Sequence, residues 1–83
     1  MRLSYFAWVR ERLGKAEEEI ELPAHVRTVG DLVAWLKGRG EDYAHAFEHS
    51  EAIRAAIDRR HARPEAAIAG AREIAFFPPM TGG

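Results

Sequence analysis

The chain contains no cysteine, which excludes a disulfide framework, a thiolate metal site and a cysteine nucleophile. It also has little excess charge, because 12 basic and 13 acidic side chains almost cancel. No large field of one sign is therefore available to hold nucleic acid or an anionic membrane. No hydrophobic run is long enough for a membrane span or for the apolar core of a signal peptide. We expect a cytoplasmic protein that binds neither nucleic acid nor membrane.

What the chain does have is enough apolar material for one small core. Its 83 residues are 47% hydrophobic, which is sufficient for one domain but not for two. No internal repeat, low-complexity tract or linker precedes the C-terminal tail. We predict a single domain over residues 1–77 and a flexible tail over residues 78–83.

Two N-terminal segments have the two-residue alternation of β-strands. In residues 2–9, Phe6 and Trp8 fall on one face and the other apolar side chains fall on the opposite face. Gly14 interrupts the pattern, and residues 17–22 then alternate with a strongly acidic outer face. The two segments predict an antiparallel hairpin.

The middle and the end of the chain predict a helix and two further strands. After Thr28, apolar residues follow at the spacing of an amphipathic helix, and Asp31 makes a near capping box. A shorter helical turn is predicted around Tyr43. Residues 53–58 and 74–77 are predicted strands, and the second ends at two prolines that cannot donate backbone hydrogen bonds. This order predicts an α+β roll.

The C-terminal tail suggests a chemical role for Gly83. A terminal Gly-Gly has the least bulk and the greatest backbone freedom a chain end can have. The carboxylate of Gly83 is a poor electrophile. An ATP-using partner would convert it into an acyl adenylate, and a sulfur nucleophile would then leave a thiocarboxylate. The alternative is that Gly-Gly is an unstructured end or a cloning remnant.

Residues 76–83, Phe-Phe-Pro-Pro-Met-Thr-Gly-Gly, resemble the tail of a known family. This is the small subunit of molybdopterin synthase, in the MoaD/ThiS group of ubiquitin-like sulfur carriers. Residues 7–11, 28–32 and 56–58 resemble other segments of the family, so the likeness spans essentially the whole chain.

The chain departs from the family pattern at three places. Asp58 stands where Asn is usual, Met80 stands where a smaller Val is usual, and residues 70–74 replace a more acidic turn. None of these changes touches the reacting carboxyl group. The last two leave the fit to a particular partner open.

The resemblance implies a β-grasp fold, with the last strand parallel to the first in the middle of a mixed sheet. It implies two partners: an adenylating enzyme related to ubiquitin activators, and the large synthase subunit in a heterotetramer of two small and two large subunits. The chain itself would bind no cofactor or metal and would have no catalytic site. The activating partner would use ATP, Gly83 would become a 1-thioglycine, and two sulfur transfers would turn cyclic pyranopterin monophosphate into the dithiolene of molybdopterin.

The candidate site residues fall into two groups. The reacting end is Gly82 and Gly83. The partner-binding group combines side chains expected near the tail with the tail itself: Phe6, Trp8, Arg10, Phe77, Pro78, Pro79, Met80 and Thr81. The alternative for the aromatic members is that they pack under a loop as a second small core.

Two other patterns compete with this interpretation. His45, Glu48 and His49 fit a zinc motif, but no third ligand accompanies them, and two solvated histidines are the simpler explanation. Residues 59–63 are basic and, together with Arg54 and Arg72, fit either a solvated strand end or a surface that steers an acidic partner. The functional alternatives are a sulfur carrier for thiazole or tRNA thiolation, a protein modifier conjugated through Gly83, and an interaction domain with an inert tail.

Overall fold

A computed structural model describes residues 1–79 of the chain. They form a five-stranded mixed sheet in the order β2-β1-β5-β3-β4, and the buried residues of the helices share one core with the buried residues of the sheet. The strands are β1 (Arg2–Tyr5), β2 (Glu17–Glu19), β3 (Arg54–Ile57), β4 (Arg60–Ala62) and β5 (Glu73–Phe77). The helices are α1 (Ala7–Leu13), α2 (Val29–Lys37) and α3 (Glu41–Ala46), and Ser50–Ala52 forms a 3-10 turn.

The last strand lies at the centre of the sheet. β5 pairs parallel with β1, where Ile74 is opposite Leu3, and antiparallel with β3, where Phe76 is opposite Ala55. β2 pairs antiparallel with β1, and β4 pairs antiparallel with β3. The predicted α+β roll is confirmed, and so is the central, parallel position that the resemblance implied for the last strand.

The predicted first strand, residues 2–9, is wrong beyond Tyr5. β1 ends there, and α1 begins at Ala7, whose φ of 52° turns the chain sharply out of the sheet. The antiparallel pairing of the first two strands is confirmed, but a helix joins them instead of a tight turn. Trp8 consequently lies on a helix and not on the outer face of the sheet.

The helix forms because the sequence after Ala7 also has helical spacing. Val9 and Leu13 are four residues apart and both are buried, so they lie on one helical face. The residues between them are strong helix formers. Gly14, with a φ of 74°, ends the helix and donates its N–H to the carbonyl oxygen of Arg10.

The predicted strands omit β4, which follows β3 through a two-residue turn. Asp58 and Arg59 have φ values of 47° and 73°, as a type I′ turn requires at both central positions. The Asp58 carboxylate accepts hydrogen bonds of 2.9 Å from the backbone N–H groups of Arg72 and Glu73. The turn is hard to detect in the sequence because its second residue is arginine and not the usual glycine.

The predicted main helix and the short helix are both confirmed. Thr28 caps α2: its hydroxyl accepts from the Asp31 N–H at 3.0 Å, and the Asp31 carboxylate accepts from the Thr28 N–H at 3.2 Å. Leu32 and Leu36 of α2 are fully buried against the sheet, and α3 buries Tyr43. The core therefore lies between β5 and these helices.

Candidate functional site

The last strand carries the chain to the candidate site, and an aromatic cluster fixes its end. Phe76 is fully buried. Its ring stacks with that of Tyr5 at a centroid distance of 6.3 Å and meets Phe47 edge-on at 5.2 Å. Aromatic pairs in these geometries contribute about 0.5–1.5 kcal/mol beyond area burial. The segment that follows β5 thus starts from one of the best-packed points of the core.

The two residues predicted to react, Gly82 and Gly83, lie outside the described residues. Two of the predicted partner-binding residues, Met80 and Thr81, lie outside them as well. Pro78 and Pro79 are half-buried and follow β5 directly. The site is therefore described up to the first two residues of the predicted tail.

Phe6 and Phe77 lie at the same end of the sheet. The Phe6 N–H donates a 3.0 Å hydrogen bond to the carbonyl oxygen of Phe76, which places its backbone beside the end of β5. Its side chain is 50% exposed, the largest exposed apolar side chain among residues 1–79. Phe77 is half-buried on the other face of β5 from Phe76. The structure thus brings together two of the predicted docking aromatics.

Trp8 and Arg10 are placed differently from the prediction. Both lie on α1. Trp8 is half-buried against the core, and the Arg12 guanidinium lies 4.6 Å from its ring centroid, within the range of a cation–π contact. Arg10 is exposed. The prediction that Trp8 shares a sheet face with Phe6 is wrong, whereas a role of either residue in docking stays a prediction.

His61 and Arg54 complete this end of the sheet. The sequence placed them in the basic cluster but not among the residues predicted to bind a partner beside the tail. The His61 imidazole meets the Phe77 ring edge-on at a centroid distance of 5.3 Å, and Arg54 is paired with Phe77 across β3 and β5. The register of the β3–β4 hairpin is the signal that would have found them. That hairpin went undetected because its turn lacks glycine.

A partly buried polar cluster holds β1 and β2 against α3 on the core side. Glu18 accepts hydrogen bonds of 2.7 Å from the hydroxyl groups of both Tyr5 and Tyr43, and Arg39 donates to it at 3.2 Å. Burial alone would raise the pKa of Glu18, but these donors outweigh it and lower the pKa. Burial and the nearby Glu18 carboxylate raise the pKa of Tyr5. The cluster fixes the strand that leads into Phe6.

The possible zinc motif does not form a helical pair of ligands. α3 ends at Ala46, so His45 lies in the helix and His49 lies beyond it. Both imidazoles instead face Glu48, at 3.9 Å and 3.7 Å. Within residues 1–79, no three histidine, cysteine or acidic side chains are grouped in a way that would hold a metal ion.

The helices of the described region are all short. None of them has both the length and the apolar character needed to cross a membrane. The described surface at the end of β5 is aromatic and basic, and Pro78 and Pro79 follow it directly.

Comparison with protein families places the whole chain in one of them. Residues 3–83 match the model of the ThiS family. The molybdopterin synthase sulfur carrier subunit of Haemophilus influenzae is 32% identical over 83 residues, covering 100% of this chain and 99% of that protein. The protein of the same name from Escherichia coli is 30% identical over 83 residues with the same coverage.

Solved structures give the same fold. SAMP1 from Haloferax volcanii superimposes with a TM-score of 0.73 at 26% identity, covering 100% of this chain and 98% of the other. A putative molybdopterin converting factor subunit 1 from Pyrococcus furiosus gives 0.72 at 28% identity, with 94% of each chain covered. A second structure, H. volcanii small archaeal modifier protein 1, gives 0.68 at 27% identity and covers 95% of each chain. The expected β-grasp fold is confirmed.

Proposed function

Because the chain belongs to the ThiS family, we propose that it is the sulfur-carrier subunit of molybdopterin synthase. Two relatives with that name align with it over its full length, and their names support a role in molybdenum cofactor biosynthesis. The single structural observation that carries the proposal is the anchoring of β5. Because Phe76 is buried among aromatic rings, the end of β5 is held in a fixed position. The segment that leads to Gly83 begins there.

In the proposed reaction the carboxylate of Gly83 attacks the α-phosphate of ATP in the activating enzyme and releases pyrophosphate. A sulfur nucleophile then attacks the glycyl carbonyl, and AMP leaves. With hydrosulfide as the nucleophile, the product is directly a thiocarboxylate, the 1-thioglycine form of Gly83. With a persulfide donor the product is an acyl disulfide, which a second thiol reduces to the same thiocarboxylate while a disulfide forms on the donor. The large synthase subunit receives this end, and two such transfers build the dithiolene of molybdopterin from cyclic pyranopterin monophosphate.

The role of the chain itself is to present Gly83 to its partners. We assign partner docking to side chains around the end of β5, together with the residues that lead to Gly82 and Gly83. These are Phe6, Trp8, Arg10, Phe77, Pro78, Pro79, Met80 and Thr81. Phe6 supports this most directly, because half of its large apolar side chain is exposed beside β5. The proposed assembly contains two small and two large subunits, is cytoplasmic, and requires no cofactor on this chain.

Two variants of the C-terminus test the proposal. Deletion of Gly83, and addition of one alanine after Gly83, both remove the reacting carboxylate from its position. Each is expected to abolish molybdopterin formation when mixed with the large subunit and the activating enzyme. The melting temperature is expected to stay unchanged, because the change lies beyond β5. Normal sulfur transfer by either variant would contradict the proposal.

A second candidate function is protein modification through Gly83. It is favoured by the likeness to the small archaeal modifier protein 1 structure, with a TM-score of 0.68. The two functions share the adenylate, but in modification a lysine amine replaces the sulfur nucleophile. Immunoblots of cells producing the tagged chain distinguish them. A ladder of covalent adducts that disappears on deletion of Gly83 would favour modification.

A further inference from the structure

The outer face of the sheet is divided by charge. Leu3, Ala55, Ile74 and Phe76 are buried on the core side, so the alternate strand positions lie on the outer face. The outer positions, from the β2 edge to the β4 edge, are as follows: Glu17 and Glu19 in β2; Arg2 and Ser4 in β1; Glu73, Ala75 and Phe77 in β5; Arg54 and Ala56 in β3; and His61 in β4. The β2 edge is therefore acidic, and the edge formed by β3 and β4 is basic.

The positive charges at the basic edge are not neutralised within the described residues. Glu19, at the acidic edge, is paired with the N-terminal amine at 3.5 Å and with Arg2 at 3.8 Å. By contrast, no carboxylate of residues 1–79 lies within 4.0 Å of the guanidinium groups at and around the β3–β4 hairpin. These belong to Arg54, Arg59, Arg60, Arg63 and Arg72. Such charges act over about a Debye length, roughly 8 Å at physiological salt.

A cleft lies within this basic edge. It has a volume of about 420 Å³ and is lined by Arg54, His61 and Arg63 over an apolar floor that includes Val29. Glu51 also lines it, and the carboxylate of Glu51 lies 3.6 Å from His49. Arg54 and Arg63 outnumber Glu51, so the formal charge at the cleft is positive.

The cleft opens beside the start of the tail. Arg54 is the register partner of Phe77, and His61 contacts the Phe77 ring at 5.3 Å. A protein that binds Phe77 would therefore come close to Arg54 and His61. The basic cleft is therefore continuous with the proposed docking surface.

We propose that this cleft docks an acidic segment of the large synthase subunit, with carboxylate side chains placed against Arg54 and Arg63. The inference rests on the proposed function, because it names the chemistry of a partner surface in that assembly. The anionic substrate is a poorer candidate for the cleft. Residues 78–83 can span roughly 20 Å when extended, so an active site of the large subunit that receives Gly83 on an extended tail would lie away from the cleft.

The acidic β2 edge determines the orientation in which the partner docks. A partner that is acidic opposite Arg54 and Arg63 meets repulsion if it docks the other way round, with the same surface against Glu17 and Glu19. Opposite charges on the two edges of one sheet thus favour one orientation of the carrier on its partner.

The test uses charge reversal in the full-length chain and the large subunit from the same organism. The double variant Arg54→Glu/Arg63→Glu is expected to raise the Kd of the complex by roughly tenfold or more, mainly by slowing association. It is also expected to flatten the dependence of association on salt between about 0.05 M and about 0.5 M. Surface plasmon resonance at several salt concentrations measures both effects.

Lys37→Glu is the charge-reversal control, because Lys37 is exposed at the end of α2 and does not line the cleft. It is expected to change the Kd by less than about twofold. Equal Kd values and salt slopes for the double variant and the control would overturn the inference. A circular dichroism melt shows whether each variant is folded. Arg54→Gln/Arg63→Gln, which removes charge without reversing it, is expected to give an intermediate Kd.

Failure of this inference is distinguishable from failure of the proposed function. If the double variant binds normally and the wild-type chain still transfers sulfur, only the acidic-partner inference is lost. If the wild-type chain forms no thiocarboxylate with its activating enzyme, the proposed function is lost whatever the Kd values are.

Discussion

Replacing Glu18 with alanine tests whether the polar cluster beneath β2 stabilises the strand that leads to the docking surface. Glu18 is 13% exposed and accepts 2.7 Å hydrogen bonds from Tyr5 and Tyr43. In the variant, the Tyr43 hydroxyl would keep its hydrogen bonds from the Lys15 amine at 3.1 Å and from the Arg39 guanidinium at 3.3 Å. Tyr5 is 1% exposed, and Glu18 is the only hydrogen-bond partner of its hydroxyl among the described residues.

The magnitude follows from these contacts. A hydrogen bond to a charged group contributes about 1.5–3 kcal/mol, and a buried hydroxyl left without a partner costs about 1–3 kcal/mol. Glu18→Ala is therefore expected to lower the free energy of unfolding by about 2–4 kcal/mol. Urea unfolding followed by circular dichroism measures it. Glu17→Ala, an exposed neighbour on the same strand, is expected to change it by less than about 0.5 kcal/mol.

A double-mutant cycle makes the test stricter. Tyr5→Phe removes the hydroxyl that Glu18→Ala would leave unpaired, so the double variant is expected to lose less stability than the sum of the two single losses. The depressed pKa of Glu18 adds a pH dependence: its contribution is present above the unfolded pKa of about 4.5 and is lost as the pH falls. Additive losses, or a Glu18→Ala loss no larger than that of Glu17→Ala, would refute the reasoning.

Three further variants or conditions probe other parts of the fold. Arg59→Gly is expected to raise the free energy of unfolding by about 0.5–1 kcal/mol, because relief of the φ of 73° exceeds the entropy cost of glycine; a loss in urea unfolding would contradict it. Thr28→Ala is expected to cost about 1 kcal/mol through loss of the α2 cap, with Thr28→Ser as the control that keeps it. The raised pKa of Tyr5 means that the unfolded chain ionises first as the pH rises, so wild-type stability is expected to fall above about pH 10. Tyr5→Phe is expected to weaken this loss of stability. If stability fell equally with pH in the Tyr5→Phe variant and the wild type, Tyr5 would not be the group responsible.

The parts of the fold that the sequence predicted well are those with redundant local signals. α2 has an amphipathic stripe and a capping box at Thr28. β5 has alternating burial through Phe76 and ends at two prolines. In both elements, several independent features point to the same structure.

The missed elements lacked that redundancy. Residues 2–9 alternate as a strand throughout, and only the four-residue spacing of Val9 and Leu13 distinguishes the helix that begins at Ala7. β4 is three residues long and mostly exposed, and it follows a turn that places Arg59 at a positive φ. For the same reason, the position of His61 beside Phe77 was not predicted. The tail chemistry was inferred from the terminal Gly-Gly, the resemblance added the partners and the acceptor, and the reacting residues lie outside the described range.

The central claim is that sulfur is carried on the carboxyl group of Gly83. The most direct test is intact-mass spectrometry of the full chain incubated with its activating enzyme, ATP and a sulfur donor, followed by fragmentation of the C-terminal peptide. We expect replacement of one oxygen by sulfur at Gly83, and disappearance of this product when Gly83 is deleted. A chain that stays unmodified under these conditions, or that carries sulfur at another residue, would contradict it.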